Sequence, residues 1–94
     1  MVEVNIDEIS IHRTVPIYLM SSYLYYKKDT SKLSDEEFDM LCKRMLENWK
    51  KIRHPHKRLI KKKDLEAGTG YAIKKYPTIV MSSAERWLAG EYDD

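Results

Sequence analysis

Two stretches of the chain repeat apolar residues at helical spacing, and they carry most of its predicted structure. In the first, Ile17, Met20, Leu24 and Tyr25 recur every three or four positions, with Tyr18 and Tyr26 flanking them. Thr14 and Pro16 stand just before. Proline suits a first helical turn because its missing N–H would have no partner there. The pattern predicts a helix from Pro16 to Lys28, followed by a polar connection, Asp29-Thr30-Ser31-Lys32. In the second stretch the apolar face reads Phe38, Leu41, Cys42, Met45, Trp49, Ile52, sustained over four turns. Its start is strongly marked. The Ser34 hydroxyl is placed to accept from the N–H of Glu37, and the Glu37 carboxylate to return to the N–H of Ser34. Asp35, Glu36 and Glu37 favour the positive end of the helix dipole. Leu33 and Phe38 are spaced for a hydrophobic staple across the cap. Pro55 disfavours helical geometry at the residue before it, so the helix is expected to end near Arg53 or His54.

The flanks are less regular. Met1 to Arg13 alternates only in part, through Val2, Val4, Ile6, Ile9 and Ile11, and reads as either a short strand or an irregular arm. His56 to Leu65 is basic and poorly periodic. Gly68-Thr69-Gly70 reads as a flexible break. YAIKKYPTIVM is rich in β-branched and aromatic residues but is interrupted by Pro77. Ser82 or Ser83 is expected to cap a short last helix, Ala84 to Leu88, ended by Gly90, with Glu91 to Asp94 a frayed acidic tail. The fold class expected is mainly α: a small helical domain built on two antiparallel helices with a short C-terminal helix. A single domain is expected over residues 1–94, with a helical pair at 16–55 and a basic connection and extension at 56–94.

Composition refines this picture. The 94 residues are 43% hydrophobic, enough for one modest core, and seven Tyr, two Trp and one Phe supply an unusual share of it. Tyr and Trp keep a polar end near water or a partner, so they belong either at the edge of a thin core or on an interaction surface. The one cysteine, Cys42, has no disulfide partner within the chain. No segment has the pattern of a leader peptide, and no run approaches the roughly 20 apolar residues of a membrane span, so a cytoplasmic protein is expected. The net charge of +2 is small, but its distribution is uneven. Lys50, Lys51, Arg53, Lys57, Arg58, Lys61, Lys62 and Lys63 fall in one stretch that contains no acid. Such a run is a candidate phosphate-backbone footprint or a surface for an acidic protein, and Trp49, Tyr71 and Tyr76 lie near it for base stacking. A solvated surface alone also accounts for it.

The stretch YLYYKKDTSKLSDEEFD, continuing to His54-Pro55, resembles the N-terminal domain of the bacterial NAD-dependent DNA ligases. The similarity covers about a third of the chain. That family domain is a small helical unit that binds the nicotinamide mononucleotide half of NAD and helps to adenylate a lysine in a separate nucleotidyltransferase domain. By resemblance, Tyr25 matches the tyrosine that stacks on nicotinamide, Asp35 and Asp39 match the two aspartates that contact the nucleotide, and His54-Pro55 matches the exit dipeptide. Two positions depart. Tyr26 stands where the family has histidine, removing a group that exchanges protons near neutral pH. Phe38 stands where the family has a second tyrosine, keeping the ring and losing the hydroxyl. Each lost bond to a ligand typically costs about 1–3 kcal/mol.

The remaining chemistry is sparse. The nucleotidyltransferase lysine sits in a KxDG motif, and here Lys63-Asp64 lacks the following glycine. The three histidines, His12, His54 and His56, do not have metal-ligand spacing. Gly68-Thr69-Gly70 is too short for a phosphate loop. The expected protein is therefore non-enzymatic, with no metal and no cofactor of its own. It is read as a free-standing binding module of the kind that compact viral or mobile-element genomes carry, acting through a protein partner or DNA. Two alternatives stand beside this reading. One is an accessory subunit that brings an NAD or nicotinamide mononucleotide site, formed by Tyr25, Tyr26, Asp35, Phe38 and Asp39, to a separate ligase core. The other is a small basic DNA-binding protein. The sequence does not fix an oligomeric state.

Overall fold

A computed structural model describes residues 6, 8–68, 73 and 75–90. Within these residues the chain forms four α-helices and two short 3₁₀ turns, and no strand. The alternation at Val2 and Val4, the Thr69-Gly70 part of the break, half of the YAIKKY run and the tail at Glu91 to Asp94 lie outside the described residues.

Helix α1 spans Thr14–Lys27. It follows a 3₁₀ turn, Ile11–Arg13, and the Thr14 hydroxyl ties the two together by donating to the Ile11 carbonyl at 2.5 Å. Ile17, Met20 and Leu24 are buried as their spacing predicts, but so are Val15, Tyr18, Leu19, Ser21, Ser22 and Tyr23. A helix buried all round is a core element rather than a surface one. Tyr25, read as part of the apolar stripe, is instead 57% exposed. The helix closes at Asp29, whose positive φ of 51° turns the chain so that the Thr30 N–H returns to the Leu24 carbonyl at 3.0 Å. Aspartate tolerates this left-handed geometry better than most side chains. The turn leaves Tyr25 and Tyr26 on the last turn of α1, facing the start of the next helix.

Helix α2 spans Asp35–Glu47. Both arms of the capping box form, Glu37 N–H to Ser34 Oγ at 3.1 Å and Ser34 N–H to Glu37 Oε1 at 2.9 Å. Leu41, Cys42 and Met45 are buried along the predicted face. The helix ends nearly two turns before the expected stop. Asn48 caps it by donating its side-chain Nδ2 to the Arg44 carbonyl at 2.9 Å, a local bond that competes with helical continuation. Trp49 and Ile52 still reach the core from a turn closed by Lys51 and Ile52 N–H groups on the Asn48 carbonyl. A 3₁₀ turn, Pro55–Leu59, begins at the His-Pro pair, with His54 Nδ1 accepting from His56 N–H at 3.1 Å.

The basic segment read as aperiodic then yields helix α3, Lys62–Ala67, which packs on α2 through buried Leu65. It stops at Gly68 with φ 68°, the left-handed residue at its end. Helix α4 is Thr78–Leu88, twice as long as the short segment expected. Pro77 opens it, and Ser82 and Ser83 lie inside it rather than capping it. Val80, Ala84 and Trp87 recur at i, i+4 and i+7 and bury one face, and α4 packs on α1. Lys28 Nζ reaches Glu85 Oε1 at 3.3 Å, tying the end of α1 to α4. The architecture is thus a central α1 covered by α4, α2 and the two 3₁₀ turns, with α3 behind α2, rather than a helical pair with a terminal appendage. Ile6 and Ile9, ahead of α1, belong to this core. Arg44 of α2 donates to both of their carbonyls, to Ile6 at 2.7 Å.

Candidate functional site

Where the end of α1, the turn after it and the start of α2 meet the C-terminus of α3, the surface opens into a cavity of about 490 Å³. Its wall comprises Ser21, Ser22, Tyr25 and Tyr26 from α1, Ser31 and Leu33 from the connection, Asp35, Glu36, Phe38 and Asp39 from α2, and Ala67 and Gly68 from the end of α3. The volume falls in the range of pockets that take small organic ligands.

All five residues singled out in the sequence for a nucleotide site line this one cavity. Tyr25 and Tyr26, 57% and 39% exposed, meet edge to face, with ring centroids 4.8 Å apart and planes at 89°. Such a pair offers two aromatic faces at a right angle. Asp35 opens the first turn of α2, and Asp39 follows one turn later, holding Lys43 at 3.0 Å through Oδ2. Phe38 plays a structural part as well. Its ring stacks on that of Tyr18, with centroids 5.4 Å apart and planes at 23°, and so fastens α2 to α1 beneath the cavity.

Ser21, Ser22 and Glu36 also line the wall and were not singled out for a site in the sequence. The two serines lie four residues before Tyr25 and Tyr26, on the same helix face, a spacing that marks them once the tyrosines are suspected. Both hydroxyls are buried, and neither has a hydrogen-bond partner among the described residues. Most buried hydroxyls are paired, so an unpaired couple beside a cavity is notable. Gly68 was read only as part of a flexible break. Here it ends α3 and closes the wall, its Cα so near Asp39 that a Cβ would lie 3.5 Å from Oδ1.

Buried groups around the site are held neutral. Burial, with smaller contributions from the neighbouring Cys42 and Asp64 side chains, raises the Tyr18 phenol well above its usual range. Burial, reinforced by Asp39, pushes the Cys42 thiol up to about 12, which makes it a packing group and not a nucleophile. Tyr76, edge-on to Tyr23 at 5.4 Å, is raised by burial to about 12. The described tyrosines thus divide between the two roles left open by composition: Tyr18, Tyr23 and Tyr76 are core, and Tyr25 and Tyr26 are surface.

The basic stretch lies elsewhere. Lys50, Lys51, Arg53, Arg58, Lys61, Lys62 and Lys63 are exposed. Lys57 departs from that set. Its ammonium sits 4.6 Å from the Trp49 ring centroid and donates to the carbonyls of Trp49 at 2.5 Å and Ile52 at 3.2 Å. Those bonds satisfy carbonyls just past the end of α2, so Lys57 works as a brace for the turn and not as part of a phosphate footprint.

The histidines converge without forming a metal centre. His54 and His56 stand with ring centroids 5.3 Å apart, and His12 Nδ1 accepts from the Arg53 N–H at 3.1 Å. No group of three or more His, Cys, Asp or Glu side chains able to hold a metal occurs among the described residues. Among those residues, no helix is long and apolar enough to cross a membrane. Compared with protein-family models, curated proteins and solved structures, the chain matches none of them.

Proposed function

We propose that this chain is a small non-enzymatic binding module, related in shape to the N-terminal domain of the NAD-dependent DNA ligases, whose ligand pocket lies between α1 and α2 and takes a nicotinamide-bearing molecule. The observation that carries the proposal is convergence. Tyr25, Asp35 and Asp39, which match that domain, and Tyr26 and Phe38, which stand at its two departing positions, lie along fifteen positions of chain and all line one cavity. A cap, a staple and a reversal at Asp29 explain the helices without any ligand, but they do not require an open cavity with two exposed rings at its edge. The role follows from what the pocket holds. It offers ring faces for stacking and carboxylates for hydroxyl groups. A module of this kind serves a separately encoded ligase core or another cytoplasmic partner.

The test is titration of the ¹⁵N-labelled protein with nicotinamide mononucleotide and with nicotinamide riboside. Amide shifts confined to Tyr25, Tyr26, Asp35 and Asp39 are expected, and they should disappear in Tyr25→Ala. If neither probe moves these signals at millimolar concentration, the reading is wrong.

A second reading rests on the basic stretch. Seven cations between Lys50 and Lys63 are exposed with no acid interposed, a composition suited to a phosphate backbone. On this reading DNA binds away from the cavity, with affinity falling steeply as salt rises. Reversing Arg58, Lys61 and Lys62 together to glutamate should abolish binding, and retention of binding would exclude it.

A further inference from the structure

The basic stretch is held against the fold rather than trailing from it. Between Lys50 and Lys63 the chain is pinned at Ile52 and Ile60, 2% and 4% exposed, and buried Leu65 anchors the helix that follows. The Lys57 ammonium bonds the carbonyls of Trp49 and Ile52, and His54 Nδ1 accepts the His56 N–H at the start of the second 3₁₀ turn. Drawn out straight, residues 50–63 would span roughly 46–50 Å. Here they leave the end of α2 and return to a helix packed on α2, in a molecule whose longest extent is 32 Å. The seven exposed cations are therefore gathered into a patch. Charges borne on a fixed backbone lose less freedom on binding than those of a loose tail. The rings beside the patch point to how it is used. The Lys57 ammonium lies 4.6 Å from the Trp49 ring centroid, and Trp49 packs on the core. Tyr76 is buried and meets Tyr23 edge to face. Two of the three rings that the sequence offers for base stacking are thus engaged within the fold.

We propose that this patch binds the phosphate backbone of duplex DNA, without reading sequence and without stacking on bases. The inference rests on the second reading above, of the basic stretch as a DNA contact, and goes beyond it by naming the form of the DNA and the mode of contact. Single strands are gripped largely by stacking bases on exposed rings, and here Trp49 and Tyr76 are withdrawn. A duplex keeps its bases inside and carries about one charge per 1.7 Å of axis, twice the density of one strand. A compact set of cations gains most from that denser array. An acidic protein surface offers carboxylates at no such regular spacing. The exposed cations neutralise phosphates, while Lys57 and Trp49 stay paired with each other during binding.

The experiment measures binding of the full chain, by fluorescence anisotropy over a series of salt concentrations, to labelled DNA duplexes of two unrelated sequences and to one of their single strands, with poly-glutamate as an acidic-protein competitor. The two duplexes are expected to bind within about twofold of each other, and the single strand about tenfold more weakly. Log affinity should fall against log salt with a slope of about −4 to −6, as four to seven phosphate contacts require. Arg58→Gln should flatten the slope by about 0.9, and Lys57→Met should leave it unchanged. Tryptophan emission of the wild type should not be quenched by the duplex, which checks Trp49 without relying on a variant at its brace. A single strand that binds as tightly as the duplex, quenching of that emission, or a slope that Lys57→Met flattens like Arg58→Gln would overturn the duplex-backbone mode while DNA contact through the basic stretch survives. Poly-glutamate that displaces the duplex at equal charge concentration would overturn DNA as the partner in favour of an acidic protein. If neither duplex binds at low salt, the second reading fails as well.

Discussion

Replacing Arg44 by methionine tests the least anticipated contact in the fold. The Arg44 guanidinium reaches from α2 across some three dozen residues of sequence to the carbonyls of Ile6 and Ile9. Methionine keeps an unbranched apolar stem of similar reach and removes only the charged donor. A hydrogen bond to a charged group contributes about 1.5–3 kcal/mol when it is lost from one side only. The two bonds share one nitrogen and Arg44 is half-buried, so their joint loss is set at about 2–3 kcal/mol rather than the sum. For a chain of this size that lowers the melting temperature by about 8–24 °C. Urea unfolding followed by circular dichroism should show a lower midpoint at an unchanged slope, since the surface exposed on unfolding is the same. Arg44→Lys retains one donor and the charge, and should recover roughly half of the loss. A loss below about 0.5 kcal/mol in Arg44→Met would show that the N-terminal segment is held by the burial of Ile6 and Ile9 alone, and the clamp would be refuted.

Two further outcomes follow from local chemistry. Ser34→Ala removes the acceptor for the Glu37 N–H and should cost about 1 kcal/mol in chemical unfolding, with Ser34→Asp restoring most of it; equal stability of wild type and Ser34→Ala would deny the cap any role. His54 is lowered from its ordinary value of 6.5, by burial first and then by His56 and His12. Its stabilising contribution is therefore complete above that value and declines as pH falls toward the folded-state pKa, because the unfolded chain takes up the proton first. Melting temperature should drop between pH 7.5 and 5.5, and His54→Asn, which keeps an N-cap acceptor without a titrating group, should flatten that drop; an identical pH profile in both proteins would acquit His54.

The sequence carried local decisions well because they depend on neighbours a few positions apart. Ser34 and Glu37 are three residues apart, and their reciprocal bonds form as the spacing requires. Phe38, Leu41, Cys42 and Met45 share a face because the helical period places them there. The same local logic misjudged the end of α2, since an apolar period running on to Trp49 and Ile52 describes burial and does not say whether a helix or a turn delivers it. At Pro77 it showed only an interruption of a β-branched and aromatic run and started the last helix six residues too late, because the helix is fixed by the surface that α1 supplies for Val80, Ala84 and Trp87 to cover.

For the site, the division falls along the same line. Tyr25, Tyr26, Asp35, Phe38 and Asp39 were legible because they flank one turn, and a turn brings its flanks together by covalent connection alone. Whether they frame a cavity was not legible. That depends on Gly68 at the end of α3 closing one wall, and on Phe38 stacking over Tyr18 to set the depth of the floor. Lys57 belongs to the same class: as a letter it joins a basic run, and only Trp49 and two carbonyls brought alongside it turn its charge inward. Sequence alone thus determined which residues are helical neighbours and where charge is concentrated, because those properties travel with the chain. Tertiary structure decided which helix is the core, which charges remain available and that the conspicuous turn encloses a cavity, because each of these depends on surfaces contributed from distant positions.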